Sequence, residues 1–130
     1  MRLLYVLLTY LLAPRILFDF AIRSQRGKGG LALKSVKVED ITWPYLEGGN
    51  PAGKPLVLVH GFGGDKDNWS FYAPHIKRDY RLIFPDLPGF GESDRSLALD
   101  HSVKAQTERL GQFLDELGIA DNTIVHYSTD

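Results

Sequence analysis

Two continuous apolar stretches, each followed by a glycine-rich loop, dominate the hydrophobic pattern of the chain. Leu56–Val59 leads into the loop His60–Gly64, and Leu82–Phe84 leads into the loop Pro85–Asp94. An unbroken apolar run of β-branched and aliphatic residues is typical of a strand that is covered on both faces, as in a parallel sheet. The pattern therefore predicts two central strands with both loops at their carboxyl ends, where open α/β sheets bind ligands.

Helical spacing of apolar residues appears between and after these two strands. A short helix is predicted from about Lys66 or Asn68 to Ile76, and a longer one from an N-cap at Ser102 to about Leu117, with Gly118 as its C-cap. A further strand begins within residues 121–125. The inward faces predicted by the spacing are Trp69, Tyr72, Ala73 and Ile76 in the first helix, and Val103, Thr107, Leu110, Phe113, Leu114 and Leu117 in the second. Alternating strands and helices predict a doubly wound α/β fold.

The residues before the first apolar stretch predict two additional strands. Leu33–Val38 alternates apolar and polar residues, which is typical of a half-exposed strand. Ile41–Leu46 is also strand-like, although Pro44 predicts an edge position or a bulge. Turn-forming residues fill positions 47–53.

Composition and charge narrow the classes of function. The chain has 130 residues, enough for one modest domain or part of a larger one, and its net charge of −1 gives no basic field for nucleic acid. It has no cysteine, which excludes disulfides, thiol catalysis and thiolate metal sites. We predict no metal and no cofactor.

The first thirty residues form a separate hydrophobic segment, followed by a domain over residues 31–130. An uncharged run of eleven residues, Leu3–Ala13, precedes Pro14, and charged residues then interrupt the apolar pattern, which continues to Ile22. Three interpretations stay open: a membrane anchor or associated helix, a cleaved signal peptide, and a helix packed on the domain's own surface. If the segment spans the membrane, the basic residues on its C-terminal side would place the domain in the cytosol. The segment 27–30 is predicted to be a flexible break.

The two loops together resemble the α/β-hydrolase family. The first reads Val-His-Gly-Phe-Gly-Gly at residues 59–64, with Trp69 downstream, and the second reads Asp-Leu-Pro-Gly-Phe-Gly-Glu-Ser-Asp at residues 86–94. With the hydrophobic N-terminal segment, the chain is most similar to lipase and esterase members, including the membrane-associated monoacylglycerol-lipase type. The resemblance covers about residues 31–125, the N-terminal half of such a domain. It implies a three-layer α/β sandwich, truncated after the start of the nucleophile strand.

The resemblance also implies roles for individual residues. Phe62 would donate one backbone amide to the oxyanion hole. His60 would shape the loop by hydrogen bonding rather than act as a base, and Asp86 would hold its loop rather than serve as the triad acid. Loop shaping is further expected of the glycines Gly61, Gly63, Gly89 and Gly91.

The expected nucleophile motif, Gly-x-Ser-x-Gly, is altered in this chain. Ser128 falls at the position of the nucleophile, but His126 and Asp130 replace the two glycines. Such residues should distort the strained turn, and no triad acid or histidine follows. We therefore expect either a truncated or frame-shifted gene product or a fragment of a longer enzyme, and we expect the 130 residues alone to be inactive. Strand 124–125 would then have an uncovered side.

The family-level expectation is hydrolysis of a small-molecule or lipid-like carboxylic ester by a serine nucleophile. One alternative is a relative of haloalkane dehalogenases or epoxide hydrolases, whose second loop looks similar but whose nucleophile is an aspartate. Another is a non-catalytic membrane-associated module.

Overall fold

A five-stranded mixed sheet forms the centre of the fold in the computed structural model, which describes residues 1–121 and 123–128. Its strands are β1 (Ala32–Val38), β2 (Ile41–Gly49), β3 (Lys54–Val59), β4 (Tyr80–Pro85) and β5 (Ile124–Tyr127). Their order across the sheet is β1-β2-β4-β3-β5. The β1-β2 and β2-β4 pairs are antiparallel, whereas β3 runs parallel to both β4 and β5. The predicted central parallel strands are confirmed, and the carboxyl ends of β3, β4 and β5 meet at one edge.

Within the described residues, three α-helices and one short 3-10 helix accompany the sheet. They are α1 (Arg2–Gly29), the 3-10 helix Lys66–Trp69, α2 (Ala73–Ile76) and α3 (Val103–Glu116). Ser102 caps α3 as predicted, because its hydroxyl accepts a hydrogen bond from the Ala105 amide. Gly118 takes a positive φ of 67° just past the end of α3.

Each face of the sheet has its own apolar core. On one face, Phe113 of α3 stacks on Trp43 at 4.9 Å and meets Tyr45 edge-on at 5.5 Å between ring centroids. On the other face, Ala73 of α2 and Trp69 pack against a cluster from β2, β3 and β4. The sheet therefore lies between two helical layers, as the sequence predicts.

Pro44 lies inside the sheet, so the predicted edge position or bulge is wrong. It pairs with Ser35 of β1 in an unbroken register, and its carbonyl accepts a hydrogen bond from the Asp86 amide, just beyond the end of β4. The nitrogen and carbonyl of one strand residue point to the same side, so the missing N–H of Pro44 faces the side where β4 has already ended. No bond to β1 is lost.

The first predicted helix is broken in the structure. The 3-10 helix ends at Trp69, and α2 begins at Ala73 with Pro74 in its first turn. Proline lacks the amide needed to continue a preceding helix but fits the start of a new one. Tyr72, which was predicted to lie on the inward face of this helix, is instead 58% exposed.

The inward face of α3 also differs from the prediction. Leu110 and Phe113 are buried as expected, but Val103 is 85% exposed and Thr107 is exposed as well. Gln106 is buried instead, and its side-chain amide donates to the Pro88 carbonyl. The helix begins above the Pro88 loop, so its first turn meets polar backbone rather than apolar core.

The hydrophobic N-terminal segment is one continuous helix, α1, which runs through Pro14 and through the predicted break at 27–30. Only Gly30 leaves the helix, with φ 66°. None of the most apolar 18-residue window is buried, so the interpretation of a helix packed on the domain surface is wrong for that portion. Gly29 is buried because its α-carbon approaches Ala73; a Cβ there would lie 2.8 Å from the Ala73 Cβ. The base of α1 is therefore docked on α2.

Candidate active site

His60 ties the two glycine-rich loops together at the carboxyl edge of the sheet. The side chain is 1% exposed, and its Nε2 accepts a hydrogen bond from the Leu87 amide at 3.1 Å. Because Nε2 is an acceptor, the ring proton of neutral His60 sits on Nδ1, which donates to the Gly61 carbonyl at 2.9 Å. Both ring nitrogens are occupied, so His60 has no nitrogen free to take a proton from a nucleophile.

Phe62 projects from the first loop into solvent. Phe62 is 91% exposed, and its ring meets the ring of Phe90 of the second loop edge-on, with 6.1 Å between the ring centroids. A turn closed by the Gly64 amide and the Gly61 carbonyl carries it, and Gly63 adopts φ 76° within that turn. Within residues 1–121 and 123–128, the Phe62 amide donates to no other group. It is therefore available to an external acceptor.

A cleft of about 210 Å³ lies in front of this turn. Its lining comes from both loops, from the start of α3 and from Tyr127 of β5. Burial raises the pKa of the Tyr127 phenol above its usual value of 10.0. The cleft thus brings together Phe62, His60 and the carboxyl end of β5.

Ser128 directly follows β5 and lies beside the first loop. Its amide donates to the Val59 carbonyl at 3.0 Å, which extends the parallel pairing of β5 with β3 by one residue. The rings of His126 and Trp69 meet edge-on, with 5.5 Å between their centroids. This contact lies on the face of the sheet that carries the core with Trp69, whereas Val59, which pairs with Tyr127, belongs to the core on the other face. Asp130, the second residue that replaces a glycine of the nucleophile motif, lies outside the described residues.

Asp86 holds the second loop from beneath. Its carboxylate is fully buried; Oδ1 accepts from the Lys66 amide at 2.7 Å, and Oδ2 accepts from the Lys66 ammonium at 2.7 Å and from the Glu92 amide at 2.9 Å. Gly91 passes so close that a Cβ there would clash with the Asp86 carboxyl group, and its φ is +53°. Only glycine fits both the contact and the backbone angle.

Lys66 is a buried residue that sequence reasoning missed. It is 2% exposed, and its ammonium lies 2.7 Å from Asp86 and 3.3 Å from Glu92. Burial alone lowers the pKa of this ammonium, but the hydrogen bond to Asp86 and the neighbouring carboxylates outweigh it, so the pKa is raised above the usual 10.5. A lysine after a glycine-rich turn gives no signal of burial, because lysine is usually exposed.

The ion pairs continue from Lys66 to the base of α1. The neighbouring residue Asp67 accepts two hydrogen bonds from the Arg26 guanidinium, at 2.7 and 2.6 Å. Gln25 also donates to the Ser70 carbonyl at 3.3 Å. A chain of charged contacts therefore joins α1 to the loop that Asp86 supports.

Gly89 completes the second loop with φ +91°, and its amide donates to the Asp94 carbonyl at 2.7 Å. The His101 ring packs against its α-carbon, 3.1 Å from where a Cβ would stand. Within the described part of the chain, no three histidine, aspartate or glutamate side chains converge to hold a metal ion.

Comparisons with known proteins agree with this geometry. The family model for the alpha/beta hydrolase fold matches residues 54–128, more than half of the chain. Lipase 1 of Psychrobacter immobilis is 43% identical over 102 residues, which are 78% of this chain and 32% of that protein. The monoacylglycerol lipase ABHD6 of Bos taurus is 31% identical over 108 residues, 82% of this chain and 32% of that protein.

A solved structure shows the same arrangement. The crystal structure of a membrane phospholipase A, described as a novel bacterial virulence factor, matches with a TM-score of 0.85 at 33% identity. The match covers 98% of this chain and 40% of that one. The chain thus spans about a third of the length of the curated relatives it matches. By its sequence, its mixed sheet and its two loops, the chain belongs to the α/β-hydrolase family, among lipase- and esterase-like members.

Proposed function

We propose that this sequence is part of a membrane-associated serine hydrolase that cleaves carboxylic esters of lipid-like substrates. One observation carries the proposal: among the residues that the structure describes, none accepts a hydrogen bond from the Phe62 amide, which lies on a turn that His60 fixes at the mouth of the cleft. The names of the relatives, lipase and monoacylglycerol lipase, support a lipid ester as the substrate class.

In the proposed reaction, the Ser128 hydroxyl attacks the ester carbonyl carbon, and negative charge develops on the carbonyl oxygen. The Phe62 N–H donates a hydrogen bond to that oxygen and stabilises the charge. The serine proton has to pass to a general base, because an unassisted hydroxyl is a weak nucleophile. His60 cannot take it, since its Nε2 already accepts from the Leu87 amide.

We propose that the base and the acid that orients it lie in the part of the relatives' length that this chain does not cover. The chain spans about a third of its lipase relatives, which supports this view. We propose residues 31–130 as the N-terminal half of the hydrolase domain, with no turnover of their own.

A non-catalytic membrane-associated module is a second candidate. It is favoured by His126, whose ring occupies the space beside Trp69 where the family motif has a glycine.

The haloalkane-dehalogenase or epoxide-hydrolase alternative needs an aspartate nucleophile, whereas Ser128 stands at that position. We expect no halide release from haloalkanes.

The membrane association is proposed from α1. The helix is 28 residues long, its most apolar window has a mean hydropathy of 1.7, and none of that window is buried. Phe71 of the domain, 63% exposed, lines a groove together with Phe18 and Phe20 of α1. Exposed phenylalanines suit the apolar surface by which a protein segment enters the membrane interface. Residues 1–30 would form the anchor, with the domain on the cytosolic side.

The catalytic proposal is tested on the product of the native gene, purified from its own cell and characterised by intact mass. A hydrolase-length product should react with a fluorophosphonate probe, and Ser128→Ala should abolish the labelling. Ser24→Ala, on exposed α1, is the matched control and should label normally. A hydrolase-length product that does not label would reject the serine mechanism in favour of the non-catalytic module.

The anchor is tested separately by carbonate extraction of membranes. The variant Leu7→Lys/Leu11→Lys should become soluble, because each central lysine costs about 2.5–3.5 kcal/mol of insertion free energy. The control Leu97→Lys, at a side chain of the domain that is 99% exposed, should stay in the pellet. A double variant that also stays in the pellet would argue against anchoring by α1.

A further inference from the structure

The turn that carries Phe62 has little packing along its own length. Phe62 is 91% exposed, and among the described residues no atom lies within 4 Å of the position that a Cβ on Gly63 would take. Gly63 also has a positive φ of 76°, in the left-handed region that glycine enters freely. The direction of the Phe62 N–H is therefore set by the residues that flank the turn on either side.

Both flanks of the turn are held by buried hydrogen bonds. On the N-terminal side, His60 is tied to the second loop. On the C-terminal side, the Lys66 amide donates to Asp86 Oδ1 at 2.7 Å. The next residue, Asp67, belongs to the 3-10 helix and follows the end of the turn at Gly64 by three positions. A displacement of Asp67 would thus reach the turn through a short, hydrogen-bonded segment.

Arg26 of α1 holds Asp67 from outside the sheet. Its Nε donates to Asp67 Oδ1 at 2.7 Å, and its Nη2 donates to Oδ2 at 2.6 Å. The two side chains are 16% and 13% exposed. Two parallel bonds of this kind fix the orientation of a carboxylate as well as its distance, and burial protects them from screening by salt. The Arg26–Asp67 pair therefore fixes the 3-10 helix relative to α1.

The base of α1 has three further contacts with the domain, farther from the turn. They are the hydrogen bond from Gln25 to the Ser70 carbonyl, the hydrogen bond from Lys77 to the Lys28 carbonyl, and the close approach of Gly29 to Ala73. Of these four contacts, the one made by Arg26 lies nearest in sequence to Phe62. Loss of the Arg26–Asp67 pair should therefore leave α1 docked and release the segment 65–67 locally.

We propose that Arg26 is a positioning residue for the oxyanion donor. Through Asp67 it holds the C-terminal flank of the turn, and so keeps the Phe62 N–H directed at the carbonyl oxygen on which charge develops. A preorganised donor stabilises that charge without reorganisation during the reaction, and a misplacement of about 1 Å can cost about 10²-fold in rate. The role rests on the proposed function, because it belongs to the same ester hydrolysis. It makes α1 part of the catalytic scaffold as well as the proposed anchor.

Steady-state kinetics of the hydrolase-length native product test this role, with a short-chain monoacylglycerol as substrate. In Arg26→Gln, kcat should fall about tenfold while KM changes less than about twofold, because the positioned bond is made in the transition state. A second variant adds Phe62→Pro, which removes the N–H that Arg26 positions. On that background Arg26→Gln should lower kcat no further, because two changes that act through one group are not additive.

Two further variants separate positioning from a general loss of stability. Arg81→Gln removes another guanidinium–carboxylate pair, with Glu47, whose side chains are 29% and 13% exposed and which lies near the N-terminal end of β4. It should keep the kcat of the wild type. Arg26→Lys keeps the charge but loses the two parallel bonds, and its kcat should lie between those of the wild type and Arg26→Gln. Thermal unfolding followed by circular dichroism shows which variants are folded, and if Arg26→Gln is not, Arg26→Lys replaces it on both backgrounds.

The possible results separate this role from the proposed function. A hydrolase-length wild type without turnover, or a Phe62→Pro variant with unchanged kcat, contradicts the proposed oxyanion site and the role of Arg26 with it. When that site is in place, an unchanged kcat in the folded Arg26 variant would overturn the positioning role alone. An equal fall in kcat on the wild-type and Phe62→Pro backgrounds would also overturn it, because Arg26 would then act independently of the Phe62 amide.

Discussion

Lys66 contacts Asp86 twice, through its backbone amide and through its ammonium, each at 2.7 Å, and both side chains are buried. The pair joins the first glycine-rich loop to the second. Lys66 follows the turn that carries Phe62 by two residues, so the pair fixes the chain just after the proposed oxyanion donor.

Removal of the Lys66 charge should strongly destabilise the fold. Lys66→Met leaves the buried Asp86 carboxylate without its cation, which typically costs about 3–5 kcal/mol of unfolding free energy. The control Lys104→Met removes an ammonium 4.0 Å from Glu108 on the exposed side of α3 and should cost less than about 0.5 kcal/mol. Urea unfolding monitored by circular dichroism measures both. Equal losses would show that the buried pair does not contribute as described.

The same pair predicts how stability changes at alkaline pH. The pKa of Lys66 is higher in the folded than in the unfolded chain, so its contribution is complete below about pH 10.5 and is lost as pH rises through the raised value. Burial raises the pKa of Tyr45 and of Tyr127 as well, which adds a loss in the same direction above pH 10.0.

Unfolding free energies measured between pH 9 and pH 12 test this sign. Above pH 10.5 the wild type should lose up to about 1.4 kcal/mol per pH unit more than Lys66→Met, the value for one proton. Parallel slopes for the two proteins would mean that Lys66 does not keep its proton in the folded state.

Gly91 should tolerate no side chain. Gly91→Ala places a Cβ within 2.3 Å of the Asp86 carboxylate and imposes a φ of +53° on alanine, which alone costs about 1–2 kcal/mol. The control Gly111→Ala, in α3 with open space around its α-carbon, should instead gain about 0.5–1 kcal/mol. Thermal unfolding of the two variants gives the comparison. A stable Gly91→Ala protein would contradict the described contact.

The parts of the fold that could be predicted are those in which the local pattern and the tertiary environment agree. Leu56–Val59 and Leu82–Phe84 are apolar throughout, and such runs are stable only when both faces of the strand are covered. Ser102 identifies the start of α3 because its capping bond is made within four residues.

The parts that could not be predicted depend on contacts between distant segments. Pro44 is accommodated inside the sheet because β4 ends beside it, and its neighbour across that gap is Asp86, 42 positions later. Burial of Gln106 is compensated by the hydrogen bond that its side-chain amide donates to the Pro88 carbonyl. Burial of Lys66 is compensated by its ion pair with Asp86. No local periodicity encodes these partners.

The continuity of α1 through Pro14 also escaped the sequence pattern. The charged residues after Ala13 suggested an interruption, yet the helix extends to Gly29 and docks there on Ala73. Arg26 then joins it to the loops through Asp67. The position of the helix relative to the candidate site is therefore fixed at its base.

The most direct test of the central claim is the catalytic effect of removing the Phe62 amide proton. Phe62→Pro deletes that N–H, and Phe62→Ala keeps it while removing the exposed ring. The amide makes no hydrogen bond within the described residues, so its loss should leave the loop folded. Hydrolysis of a short-chain monoacylglycerol by the hydrolase-length native product is measured for each. We expect kcat to fall about 10²–10³-fold for Phe62→Pro, and to change little for Phe62→Ala. An unchanged kcat for Phe62→Pro, with the fold intact, would contradict the assignment of this turn as the oxyanion donor.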